Sequence, residues 1–170
     1  MTLLTRGRPT RGGGVLLYFR SKPHCEVIEY PAVASDSLWC KLRLAQRGIG
    51  LFGLVYRSSS SIDSVIETLL QTMYQILSLK FTHFPIMGDF SDPTLAKSAT
   101  SLQPFERELV QLMESYSPNN FVKEFTRFGA NQPPSVLDLV LANEELMTET
   151  ISTTTPLGCI DLTMLKIDYI

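Results

Sequence analysis

A chain of 170 residues, 44% hydrophobic and 9% aromatic, has the apolar material for one domain with a real core and too little length for two ordinary ones. Cys25, Cys40 and Cys159 are odd in number, lack C-x-x-C spacing and sit in hydrophobic surroundings, which excludes a disulfide framework or a zinc site as the basis of the fold. No apolar run reaches the length that spans a bilayer and the first residues lack a leader-type apolar stretch, so the chain reads as soluble and intracellular, not secreted. The net charge of −2 hides an uneven distribution: residues 1–57 hold nine Lys/Arg against three acids, and the remainder six against fourteen. A basic part suits a phosphate backbone and an acidic part suits a hard cation, although solvated charge and a basic tail explain the same counts.

Residues 1–10 read as a basic, flexible N-terminal segment, and the glycine run after Arg11 as a lead into the first strand. Four short extended segments follow: "VLLYFR", "CEVIEY", "LWCKLRL" and "IGLFGLVYR". They are rich in β-branched and aromatic residues and separated by Pro, Ser and Gly, the pattern of neighbouring strands. "LWCKLRL" alternates as a strand with one wet face, whereas "IGLFGLVYR" reads as buried. In "SSSSIDSVIETLLQTMYQILSLK", Ile62, Val65, Ile66, Leu69, Met73, Ile76 and Leu77 fall on one stripe of a helix. Ser64 and Glu67 have the spacing of a capping box near its start.

"FPIMGDF" returns as a buried strand, and strand, helix, strand in that order favours an α/β layer. Pro104 suits the first turn of a second helix, "PFERELVQLMES", with Phe105, Leu109, Leu112 and Met113 on its apolar face. "FVKEFTRF" and "SVLDLVLAN" read as two strands joined through the turn-rich "GANQPP", and "ETISTT" with "DLTMLKIDYI" as a closing pair.

Three aspartates stand at comparable places. Asp89 ends the strand "PIMGD", Asp138 lies in "SVLDLVL", and Asp161 opens the final strand after "TPLGC". A carboxylate in an apolar strand is expensive to bury unless it is paired, hydrogen-bonded or metal-bound. Any one of them is more simply a turn or cap residue; the set of three makes a candidate site. His24 and His83 have no Cys or carboxylate at ligand spacing and read as surface or satisfied histidines. The "SSSS" run reads as a helix lead-in, with a phosphate contact through Arg57 as the functional alternative.

The order of "RGGGVLLYFRS", "LWCKLRL", "LVYRSSS", "PIMGDFSDP", "SVLDLVLAN" and "TPLGCIDLTML" resembles the endonuclease/exonuclease/phosphatase superfamily with the DNase I-like fold. More narrowly it is similar to the endonuclease domain that precedes reverse transcriptase in non-LTR retrotransposons. The likeness runs from Arg11 to the end, giving an expected domain over 11–170. It implies an α/β (α+β) two-sheet β-sandwich flanked by helices, and Mg²⁺-assisted attack of water on a DNA phosphodiester. On that resemblance Tyr56 contacts the phosphate, Asp89 orients or activates the water, Asp161 with Asp89 lies beside the metal, and Asp138 partners a catalytic histidine. The roles agree with elementary chemistry, since a hard cation takes carboxylate oxygens and the water needs a positioned acceptor.

Several positions depart from the pattern. The family's "GDFN" is "GDFS", which puts Ser91 where an asparagine amide would hold the nucleophile, and the closing "SDH" is "IDL", which puts Ile160 and Leu162 in place of serine and histidine. The asparagine-bearing first strand and the strand carrying the metal-binding glutamate are expected upstream of Arg11, so the domain is expected to be incomplete on its N-terminal side. A degenerate nuclease without hydrolytic activity is therefore one reading. A non-catalytic remnant binding nucleic acid or protein through the basic N-terminal part is a second, and a phosphohydrolase completed by sequence outside this chain is a third. A reverse transcriptase domain encoded downstream is the partner the resemblance implies.

Overall fold

A computed structural model of the chain describes residues 2–7, 14–19, 25–29, 36–44, 48–91, 104–116, 119–128, 133–143, 148–154 and 164–169. In chain order the elements are β1 (Thr2–Gly7), β2 (Gly14–Phe19), β3 (Cys25–Val27), β4 (Ser37–Leu44), β5 (Gly48–Tyr56), α1 (Asp63–Leu77), β6 (Ile86–Asp89), α2 (Pro104–Tyr116), β7 (Asn119–Asn120), β8 (Asp138–Ala142), β9 (Thr148–Thr154) and β10 (Met164–Tyr169). Six strands form a mixed sheet in the order β3-β4-β5-β6-β8-β7, and β1-β2 and β9-β10 stand beside it as separate antiparallel pairs. The chain is thus α+β, as expected, with two strand pairs rather than one continuous second sheet among the described residues.

The connection β5-α1-β6 is the element that organises the sheet. β5 and β6 pair in parallel, which requires a crossover, and α1 supplies it. α1 forms because its apolar residues recur at helical spacing: Leu69, Leu70, Met73, Ile76 and Leu77 are all buried. They meet Trp39, Leu51, Val55 and Ile86 of the sheet, while Phe105, Leu109 and Leu112 of α2 extend the same core. Each such side chain taken fully from water contributes about 1.5–3 kcal/mol. Trp39 is completely buried, its indole N–H donates to Ser37 Oγ at 2.9 Å, and it lies across Gly53 on β5, where an added Cβ would fall inside the ring. A side chain at Gly53 would expel the indole from the core.

Several expectations are corrected by the tertiary arrangement. Thr2–Gly7, placed in a flexible basic segment, forms β1, because "TLLTRG" finds a partner in "GVLLYF" with Thr2 opposite Phe19 and Gly7 opposite Gly14. β2 therefore leaves the series of neighbouring strands and pairs with β1 instead. Both pack on β4, and β2 also on β5, so the face of β4 expected to be wet is covered: Leu38, Trp39 and Cys40 are buried in succession. Only Arg43 among the described side chains of β4 is fully exposed.

The capping box is absent. Ile62 is the N-cap of α1 and makes no side-chain cap hydrogen bond, while Ser64 already lies inside the helix. "FVKEFTRF" is not a strand either. Val122 and Thr126 are its buried side chains, a spacing of four rather than two, and its pairing reduces to a bridge between Arg127 and Ser135.

Candidate functional site

The mixed sheet places three of the residues singled out in the sequence side by side. In the parallel pair β5-β6, Tyr56 stands opposite Asp89; in the antiparallel pair β6-β8, Asp89 stands opposite Asp138. Residues opposite one another in register share a face, and neighbouring strands are about 4.8 Å apart, so the three side chains form one row across three strands. Each is half-buried. The row lies where β5 and β6 end and β8 begins. There the backbone is tied across the strands: Tyr56 N–H donates to Asp36 O, Arg57 N–H to Asp89 O and Phe90 N–H to Leu137 O, each at 2.8 Å.

The approach of β5 to β6 depends on Gly88. Its φ is +148°, and a Cβ there would overlap the carbonyl of Val55. Glycine thereby allows the strand to deliver Asp89 in register with Tyr56. Immediately after Asp89 the chain turns on that carboxylate, because Oδ1 accepts from Ser91 N–H at 2.7 Å and from Ser91 Oγ at 3.0 Å. Ser91 has φ +45°, the left-handed region that asparagine adopts more readily than serine. The asparagine of the family pattern would thus suit this backbone better than the serine that occupies it.

Arg57 braces the turn from the other side. Its Nη1 donates to the carbonyls of Phe90 at 2.8 Å and Ser91 at 3.1 Å, and its guanidinium carbon stands 4.2 Å from the centroid of the Phe105 ring on α2. Arg57 is therefore turned inward, holding the loop after Asp89 against α2. The serine run beside it makes a local turn, with Ser61 N–H donating to Ser58 O at 3.0 Å and the hydroxyls of Ser58 and Ser60 2.9 Å apart. The helix lead-in is the reading this geometry favours.

Asp138 is held by Thr126, which is fully buried. Thr126 Oγ1 accepts from the backbone N–H groups of Leu137 at 3.0 Å and Asp138 at 3.3 Å. Burial pushes the Asp138 carboxyl up to about 6; a hydrogen bond from Thr126 opposes part of this rise, and the charge of neighbouring Asp89 adds to it. Its Oδ2 is buried without a hydrogen-bond partner among the described residues. Such an atom costs free energy unless a donor reaches it.

Asp161, Ile160 and Leu162 lie outside the described residues, as do Asp92, His24 and Cys159. His83 is buried at the other end of the sheet, beside Gly50. Thr126 is a supporting residue that the sequence reading did not name, and Arg57, weighed there as a phosphate contact, braces the turn. The signal for Thr126 is a hydroxyl inside an otherwise strand-like run; for Arg57 it is a cation directly after a buried strand.

A hard cation such as Mg²⁺ takes six oxygen ligands, usually one or two carboxylates with water and substrate oxygens. Among the described residues no group of three or more His, Cys, Asp or Glu side chains could hold a metal. The carboxylates of the row number two, one engaged by Ser91 and the other raised toward its neutral form. These donors do not by themselves fit a Mg²⁺ centre. No described helix is long and apolar enough to cross a membrane.

No protein-family model matches the chain, and no curated protein matches it by sequence. Among solved structures it is similar to the endonuclease domain of TRAS1, a telomere-specific non-LTR retrotransposon, with a TM-score of 0.74, 11% identity, and coverage of 99% of this chain and 77% of that one. The fold of this chain is that of a DNase I-like endonuclease domain.

Proposed function

We propose that the chain is a DNA-endonuclease scaffold whose site has lost the residues needed for hydrolysis. On this reading Tyr56 is the phosphate contact, Asp89 the group that orients the attacking water, and Asp138 the partner of a histidine that Leu162 replaces. Ser91 takes the place of the amide that would help fix the water. Asp161 is the remaining carboxylate assigned to the metal side, and Mg²⁺ is the cation the scaffold would use if activity were restored.

The observation supporting this reading is the buried Oδ2 of Asp138, without a hydrogen-bond partner among the described residues, at the end of the Tyr56–Asp89–Asp138 row. The row is kept while the side chain that would use it is gone. Leucine cannot carry a proton or donate to a phosphate oxygen, and each positioned acid, base or donor is worth roughly 10²–10⁴ in rate. Losses within one catalytic unit are not additive, but removal of several leaves little turnover.

Incubation of the purified chain with supercoiled plasmid and Mg²⁺ tests the proposal. The unmodified protein is expected to retard DNA in a salt-dependent manner and to leave it unnicked, and a Leu162→His, Ser91→Asn double variant to nick more than its parent. Robust nicking by the unmodified chain, abolished by Asp89→Ala, would overturn the loss of hydrolysis. Failure to bind DNA at low salt would overturn DNA as the ligand.

A further inference from the structure

A groove separates β1 from the β3–β4 edge of the mixed sheet. Leu4, Thr5 and Arg6 of β1, Val27 of β3, Glu29 just past it and Leu38 of β4 line an open space of about 180 Å³. Leu38 is buried and Leu4 and Val27 are half-buried, so the walls are largely apolar; the charged groups are Arg6 and Glu29. Arg6 Nη2 donates to Glu29 Oε2 at 3.3 Å, longer than the roughly 2.7–2.9 Å of a well-made charged hydrogen bond. Arg6 Nη1 is buried and has no hydrogen-bond partner among the described residues. The Arg6 side chain is 25% exposed and that of Glu29 71%, so the guanidinium lies deeper than the carboxylate.

We propose that this groove binds guanine, through the Arg6–Glu29 pair and the apolar walls beside it. A guanidinium offers only donors and a carboxylate only acceptors, so the pair requires a ligand with an acceptor and donors side by side on one edge. An anion meets the charge of Glu29 and a cation that of Arg6; a neutral planar base avoids both. On the Watson–Crick edge of guanine, O6 accepts from Arg6, while N1–H and the N2 amino group donate to the two carboxylate oxygens of Glu29. Adenine and cytosine present one donor group there instead of two adjacent ones. Guanine alone matches the carboxylate at both oxygens.

Leu4, Val27 and Leu38 supply apolar contact for the ring faces, and the space between them takes one base. The same edge is offered by a free guanine nucleoside and by an unpaired guanine in a single strand, whereas pairing in a duplex occupies it. No residue of the groove belongs to β5, β6 or β8, so the site holds or fails independently of the aspartate row and of hydrolysis there.

The test titrates the isotope-labelled full chain with guanosine, inosine, adenosine and cytidine and follows the backbone amide resonances. Guanosine is expected to shift Leu4, Arg6, Val27 and Glu29, and inosine, which lacks the N2 amino group, to bind about tenfold more weakly, the loss of one charge-assisted hydrogen bond. Glu29→Gln is expected to weaken guanosine and to narrow its advantage over inosine, and Arg6→Gln to abolish binding. A guanine-containing single strand set against its inosine counterpart identifies the source: a preference shared with the nucleoside supports the free base as ligand, and a preference found only in the strand supports nucleic acid. Equal binding of all four nucleosides, binding of guanosine and adenosine monophosphates alike with neither nucleoside bound, displacement of guanosine by leucine, or unshifted groove residues with every probe would each overturn the proposal. If Arg6→Gln fails to fold by circular dichroism, Glu29→Gln, at an exposed position, decides.

Discussion

The two ends of the β5-β6-β8 ladder are built from the same three strands and hold different polar groups. At one end Asn143, just past β8, uses both halves of its amide: Oδ1 accepts from Phe84 N–H at 3.0 Å and Nδ2 donates to Thr82 O at 2.7 Å. Leu51 N–H donates to His83 O at 2.8 Å beside it. At the other end Asp138 keeps a buried oxygen and Arg57 a buried Nε without partners among the described residues, and Ser91 holds a left-handed backbone. The pinned end is arranged for stability. The open end carries groups that are unfavourable where they stand among the described residues.

The contrast is broken most directly at the pinned end. Asn143→Ala removes two hydrogen bonds to backbone and is expected to destabilise the fold by about 1–3 kcal/mol, seen as a lower urea midpoint; an unchanged midpoint would mean this end is not held by the amide. At the open end the expected sign reverses. The Asp138 carboxyl has an ordinary value of 3.8 and is pushed up to about 6 in the fold. Between those pH values the folded chain holds the proton more tightly than the unfolded one, so stability falls as pH rises through that window and stays lower above it. Asp138→Asn is therefore expected to stabilise by about 1–2 kcal/mol at pH 7, after allowing for the part of the carboxyl that faces solvent, and to change little at pH 4. Paired unfolding curves at the two pH values check this, and a gain independent of pH would exclude the carboxyl as its source. The smallest effect is expected of Ser91→Asn, a gain of about 0.5–1 kcal/mol from a residue that tolerates positive φ. A loss in thermal melting would show that the serine hydroxyl on Asp89 matters more than backbone strain.

How much of this could be read from the chain differs between elements. α1 was legible because seven apolar residues repeat at helical spacing, and β6 because an apolar run ends abruptly in Asp89. β1 was obscured by the arginines and glycines around it, and its strand character depends on a partner that only pairing reveals. "FVKEFTRF" misled in the other direction: its composition suits a strand, but Thr126 spends its hydroxyl on the backbone of Leu137 and Asp138 instead of joining a ladder. Tyr56, Asp89 and Asp138 were singled out through family resemblance, and the register sets them side by side. Arg57 was not assigned its bracing role, because the carbonyl it holds at Phe90 lies 33 residues away.

By itself the sequence determined the elements with strong periodicity and the order of the motifs. These are local matters, settled by spacing. Only the tertiary structure decided that Tyr56, Asp89 and Asp138 stand in one row and that β1 and β2 pack on β4. Register across strands and burial arise from contacts between distant segments, and no local spacing in the chain encodes them.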